Sequence, residues 1–100
     1  MIYHVFAVQD LKAGFFMPPF MFASVGQAVR ACIDEASRPE SMLARHPADF
    51  ALYHIGYWND ANGLYDQKMA AEHLGSFVSF VKDRAKYDDL FDVRTKGETD

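Results

Sequence analysis

The sequence predicts an α+β fold: two antiparallel β-hairpins forming one sheet, packed by a helix after the first hairpin, plus a C-terminal helix. Three observations carry this. Apolar runs at 2–8 and 15–22 flank a turn closed by Gly14. An apolar stripe of helical period opens behind Ser24. A second pair of extended runs, 50–58 and 64–69, flanks Asn62-Gly63.

Each element follows from local chemistry. In 2–8, Tyr3, Val5 and Ala7 alternate with Ile2, His4, Phe6 and Val8, and both sets are largely apolar. A strand with both faces covered reads this way. Pro18-Pro19 cannot donate ladder hydrogen bonds, so the run 15–22 is an edge strand or is interrupted there. Ser24 and Gln27, three apart, fit a capping box. Val25, Ala28, Val29, Cys32, Ile33 and Ala36 then fall on one helical stripe, and Pro39 ends the pattern. Residues 41–45 read as one short helical turn before Pro47. Asn62-Gly63 suits a turn with positive φ. Farther on, Leu74, Phe77, Val78, Val81 and Ala85 match helical spacing, which places a helix over about 76–90. A strand over 76–81 is the competing assignment.

One hundred residues make one domain, here 1–90, followed by an acidic polar tail at 91–100 expected to fray. Half the residues are hydrophobic and 15% are aromatic, which is ample for a core. Nine Phe, five Tyr and one Trp exceed what one small core must hide and point to an interface. The plainer alternative is that they simply fill the core. The net charge of −4 opposes strong electrostatic nucleic-acid binding. Much of it sits late: Asp88, Asp89, Asp92, Glu98 and Asp100 face only Arg94 and Lys96, which leaves the body nearly neutral. Cys32 is the single cysteine, so no disulfide forms within one chain, and a reducing cytoplasm suits it. The start shows no basic region followed by an apolar run, so no signal peptide is expected. No apolar run approaches the roughly 18 residues that span a bilayer.

The stretch His46-Pro47-Ala48-Asp49-Phe50-Ala51-Leu52-Tyr53-His54-Ile55-Gly56, followed by Asn59-Asp60 and Gly63, is the most specific block. With Tyr3 to Val8, Asp10-Leu11-Lys12-Ala13-Gly14-Phe15, Pro19-Phe20 and Ala28-Val29-Arg30, it resembles the small nonstructural protein of gokushoviruses, single-stranded DNA phages of the Microviridae. The resemblance covers about residues 3–69 and leaves the segment 77–90 and the tail outside. It implies a protein of the host bacterial cytoplasm that binds DNA. It also implies a part in the switch from duplex replication to single-strand synthesis and packaging.

The residues offer little for catalysis. His4, His46, His54 and His73 show no metal-ligand spacing, and no glycine-rich phosphate loop is present. No catalytic residue, metal or cofactor is expected. Cys32, within the apolar stripe, reads as a buried structural thiol, and His54, amid apolar neighbours, as a structural histidine. Asp49 after Pro47 reads as a cap or turn residue. Binding to single strands needs cations for phosphate and aromatic faces for bases. One hairpin offers Lys12 beside Phe15 and Phe16, and the other offers Tyr57, Trp58, Tyr65 and Lys68. Arg30 and Arg45 are further cations, and Tyr53 a further aromatic. Tyr57 and Trp58 point to opposite faces of a strand, so at most one of them faces bases.

Residues and resemblance together read as a non-enzymatic single-stranded-DNA-binding protein of phage genome replication and packaging. The alternative is a homo-oligomeric interaction or assembly module that contacts capsid or replication proteins. Salt separates the two: phosphate-driven binding weakens steeply with salt, whereas an apolar oligomer persists.

Overall fold

The computed structural model describes residues 1–83 and gives an α+β fold with a curled antiparallel sheet. The strands are β1 (Ile2–Asp10), β2 (Phe15–Phe16), β3 (Phe20–Phe22), β4 (Phe50–Asn59) and β5 (Leu64–Ser76). The helices are α1 (Val25–Ala36), α2 (Met42–Arg45) and α3 (Phe77–Lys82), with a 3-10 turn over Pro47–Asp49. The sheet order is β2-β1-β4-β5, and β3 also pairs with β1. All pairings are antiparallel, so the two hairpins join through β1 and β4.

The predicted interruption at Pro18-Pro19 splits the second run into β2 and β3. Met17 N–H bridges the gap by donating to Val8 O at 2.7 Å. At the first turn Asp10 Oδ1 accepts from Lys12 N–H and Ala13 N–H, both at 3.0 Å. At the second, positive φ falls on Gly63 (+74°) alone; Asn62 instead uses its side chain, accepting from Leu64 N–H at 3.0 Å.

Helix α1 is capped as its sequence predicts. Ser24 Oγ accepts from Gln27 N–H, and Gln27 Oε1 accepts from Ala23 N–H, each at 3.2 Å. Its buried residues Ala28, Val29, Cys32, Ile33 and Ala36 meet Phe6, Val8, Phe50 and Leu52 of the sheet, with Phe77 and Phe80 of α3 closing the core. Burial pushes the Cys32 thiol up to about 12, with Glu35 adding to the effect, which keeps it protonated and unreactive.

The C-terminal third departs from expectation. The fourth long run does not stop at 69; β5 continues to Ser76, and the helix starts at Phe77. Helix-forming residues at 70–74 are held extended because Glu72 and His73 pair with His54 and Tyr53 of β4. Tertiary pairing overrides local propensity there. Ser76 Oγ then caps α3 by accepting from Ser79 N–H at 3.3 Å. The competing strand over 76–81 is not formed. The remainder of the expected helix, 84–90, and the tail 91–100 lie outside the described residues.

Three register shifts curl the sheet, and at one of them Leu74 is an extra residue of β5 between the Leu52–Gly75 and Tyr53–His73 pairs. Ile55 is an extra residue of β4 between the Phe6–His54 and Val5–Gly56 pairs. On the other side, residues 68–71 of β5 span the same gap, so four residues of β5 stand opposite one of β4. Bulges of this kind bend a strand and increase its twist.

Candidate nucleic-acid interface

The register sorts the side chains onto two faces. His4, Phe6 and Val8 of β1 and Phe50, Leu52, His54 and Tyr57 of β4 share the face that the helices cover. Tyr3, Val5 and Ala7 share the other with Trp58, Gly56 and Tyr53. Met21 of β3, Phe16 of β2 and Tyr65 of β5 join this second face through their pairs Val5, Gln9 and Trp58. Among the described residues no helix packs on it.

This open face holds two adjoining hollows. One, of about 390 Å³, is lined by Val5, Pro19, Met21, Ile55, Trp58 and Tyr65. The other, of about 290 Å³, includes Ala7, Phe16, Met17 and Ala71 and shares Pro19 and Ile55 with the first. Aromatic rings flank both. Tyr3 lies 6.0 Å from Trp58 between centroids, and Tyr53 lies edge-on to Phe16 at 5.2 Å and to His73 at 5.3 Å. Phe16 is 44% exposed and Tyr65 47%. The β4 bulge shapes the floor by turning both Ile55 and Gly56 toward this side. Tyr65 lies across Gly56, where a Cβ would come within 2.5 Å of its hydroxyl oxygen and 2.8 Å of Asp66 O. The Tyr65 hydroxyl donates to Ile55 O at 3.0 Å.

The family described as phage ORF5 protein matches residues 3–80, which include every element just described from β1 to the body of α3. The chain belongs to that phage ORF5 family. The match runs past residue 69, so the second half of β5 and the start of α3 belong to the family's extent. No curated protein and no solved structure matches the chain.

In this ORF5-family protein the nine residues marked by sequence are divided between the two layers. Trp58 and Tyr65 are register partners on the open face, and Phe16 stands on the same face. Lys12 lies in the turn that leads to Phe16. Phe15 pairs with Asp10 and belongs to the other side. Tyr57 also points to the helical side, with Lys68 Nζ 5.6 Å from its ring centroid. Arg30 and Arg45 sit in the helical layer, in α1 and α2. The expected grouping of Tyr57, Trp58, Tyr65 and Lys68 is thus split across the sheet. Tyr3, Pro19, Met21 and Ile55 were missed. The shared parity of Tyr3, Val5 and Ala7 pointed to a common face, but only the β1–β4 register shows that Trp58 lies there.

Behind the sheet, next to Tyr57, stands a polar cluster. His54 is 3% exposed, and its Nε2 lies 3.1 Å from Gly56 O and 3.3 Å from His4 Nδ1. A carbonyl only accepts, so Nε2 of neutral His54 carries the proton and donates to Gly56 O. Its Nδ1 faces Glu72 Oε1 at 3.6 Å, which Lys68 Nζ approaches at 3.0 Å. The hydrogen bond from Lys68 holds the Glu72 carboxyl below its ordinary value. Burial, with the charges of Lys68 and His4, lowers His54 from its ordinary 6.5 despite the opposing pull of Glu72 and Gly56 O.

The unfolded chain therefore takes up a proton at His54 more readily than the folded one. This contribution to stability is complete above about pH 6.5 and is lost as pH falls from there toward the lower folded value. The loss is at most about 1.4 kcal/mol per pH unit. Thermal melts at pH 7.5 and 5.5 should show a lower midpoint at pH 5.5 that shrinks toward the pH 7.5 value in His54→Gln.

Among the described residues no helix is long and apolar enough to cross a membrane, and no group of three His, Cys, Asp or Glu is placed to hold a metal ion.

Proposed function

We propose that this phage protein is a non-enzymatic single-stranded-DNA-binding protein and that the open face of its sheet is the platform for bases. One observation supports this above others: exposed aromatic rings border two adjoining apolar hollows on a face that no described helix covers. Unpaired bases present flat apolar faces to such rings, whereas duplex DNA hides them in the stack. Phage family membership and the gokushovirus resemblance support a role in genome replication and packaging in the host cytoplasm.

The steep salt dependence expected from sequence needs several cations at the site. Neither hollow has a Lys or Arg in its lining, and Lys12 is the one marked cation on the hairpin that carries Phe16. Each phosphate contact to a single strand contributes a log–log slope of about −0.7, so a slope of about −1 is expected here. Binding of a fluorescent single-stranded oligonucleotide, and of its duplex, across 50–200 mM salt tests both parts. Single-strand preference with a shallow slope fits the proposal. Equal binding of duplex with a slope of about −4 or steeper would move the site to the charged layer behind the sheet.

The same absence of cations supports a second reading, in which the open face is covered by another copy of the chain. Apolar faces of this kind also suit homo-oligomers, which would in turn contact capsid or replication proteins. Mass measured in the same samples separates the two. A salt-resistant oligomer that binds no oligonucleotide favours the second.

A further inference from the structure

The His54 cluster and the open-face hollow lie on opposite sides of the sheet, yet they are joined through four atoms' worth of backbone. His54 Nε2 holds Gly56 O at 3.1 Å. Gly56 and the preceding Ile55 form the bulge of β4. Ile55 O accepts the Tyr65 hydroxyl at 3.0 Å, and the Tyr65 ring lies in space that a Cβ at position 56 would occupy. Tyr65 and its register partner Trp58 both line the larger hollow.

We propose that His54 is a positioning residue for the open-face site: from behind the sheet it fixes the Ile55–Gly56 bulge, and its protonation reshapes the Tyr65–Trp58 wall of the hollow. The site's role as a base platform rests on the reading above, but the coupling itself is a property of the free protein.

The chemistry runs through the groups that face the imidazole. These are His4 from β1, Tyr57 and Gly56 O from β4, and Glu72 and Lys68 from β5. In the neutral ring, Nε2–H serves Gly56 O, and the bare Nδ1 faces Glu72. A second proton lands on Nδ1 and gives Glu72 a charged donor that competes with Lys68. The imidazolium is drawn toward the Glu72 carboxylate and repelled by the Lys68 ammonium beside it. The ring cannot move without disturbing its bond to Gly56 O, and that carbonyl belongs to the segment on which Tyr65 rests. Burial delays this protonation to below the ordinary 6.5, so the site keeps its neutral-ring shape at neutral pH.

Trp58 is the single tryptophan, so its fluorescence reports the hollow directly. The test follows Trp58 emission of the free protein from pH 7.5 to 5.0, with far-UV circular dichroism to confirm that the chain stays folded. The expected result is one inflection below pH 6.5, lost in His54→Gln and retained in His46→Gln, whose histidine is exposed in the segment before β4. If His54→Gln does not fold, Tyr65→Phe takes its place. It keeps His54 but removes the hydroxyl bond to Ile55 O, and it should strongly reduce the inflection. A flat wild-type profile in folded protein overturns the proposal. So does an inflection that persists in His54→Gln, or one unchanged in Tyr65→Phe. Because no DNA is present, failure here leaves the base-platform reading standing. Failure of DNA binding likewise leaves this coupling intact.

Discussion

Phe6→Ala should remove about 3–5 kcal/mol of stability, among the largest losses expected from a single truncation of a described residue. Phe6 is fully buried at the centre of β1. Its ring lies 5.1 Å from that of His54 and 5.9 Å from that of Phe20 between centroids, and α1 covers it from above. Its neighbours are held in strands and in α1, which limits how far they can close the space. A domain of this size has a total stability of about 5–15 kcal/mol, so a large share of it would go. Each kcal/mol lowers the midpoint by about 4–8 °C, and a fall of at least about 12 °C is expected in thermal melts. Phe15→Ala is the matched control: Phe15 is 57% exposed, and its loss should change stability by no more than about 0.5 kcal/mol. If both variants melt alike, the assignment of Phe6 to the covered face is wrong.

The second large effect is on binding. Trp58→Ala should weaken affinity for single-stranded DNA by about 5- to 150-fold, since one stacked base contributes about 1–3 kcal/mol. Trp58 and Tyr65 form the aromatic wall of the larger hollow, and Tyr3 supports Trp58 from β1. Tyr57→Ala tests the geometry next door. Tyr57 is adjacent in sequence and equally aromatic, but it points behind the sheet toward His4 and His54. Its loss should affect folding more than binding. Oligonucleotide anisotropy titrations of both variants, each checked by circular dichroism, decide between a site on the open face and a diffuse aromatic surface.

Much of this architecture was legible because local chemistry marked it. Ser24 and Gln27 announced the start of α1, and the stripe from Ala28 to Ala36 announced its buried face. Pro18-Pro19 foretold the break in the second run, and Asn62-Gly63 the second turn. The end of β5 was not legible. Residues 70–74 carry no strand signal of their own, and their conformation comes from pairing with Tyr53 and His54, distant in sequence. The candidate site was half legible for a related reason. Alternation separated Tyr57 from Trp58, but the faces of different strands can be matched only when register is known. One bulge at Ile55 shifts that register and decides which residues of β4 meet Val5 and Phe6. The cations misled for the same cause: Lys68 and Tyr65 are close in sequence, yet Lys68 is drawn behind the sheet by Glu72.

The most direct test of the central claim uses the wild-type protein alone. Single-stranded oligonucleotide is titrated in at 50 mM salt while Trp58 emission and oligonucleotide anisotropy are followed together. Saturable binding is expected in which Trp58 emission changes in step with anisotropy, with little change when the same strand is supplied as duplex. Saturable binding that leaves Trp58 emission unaltered, or no binding by a folded protein, would contradict the claim.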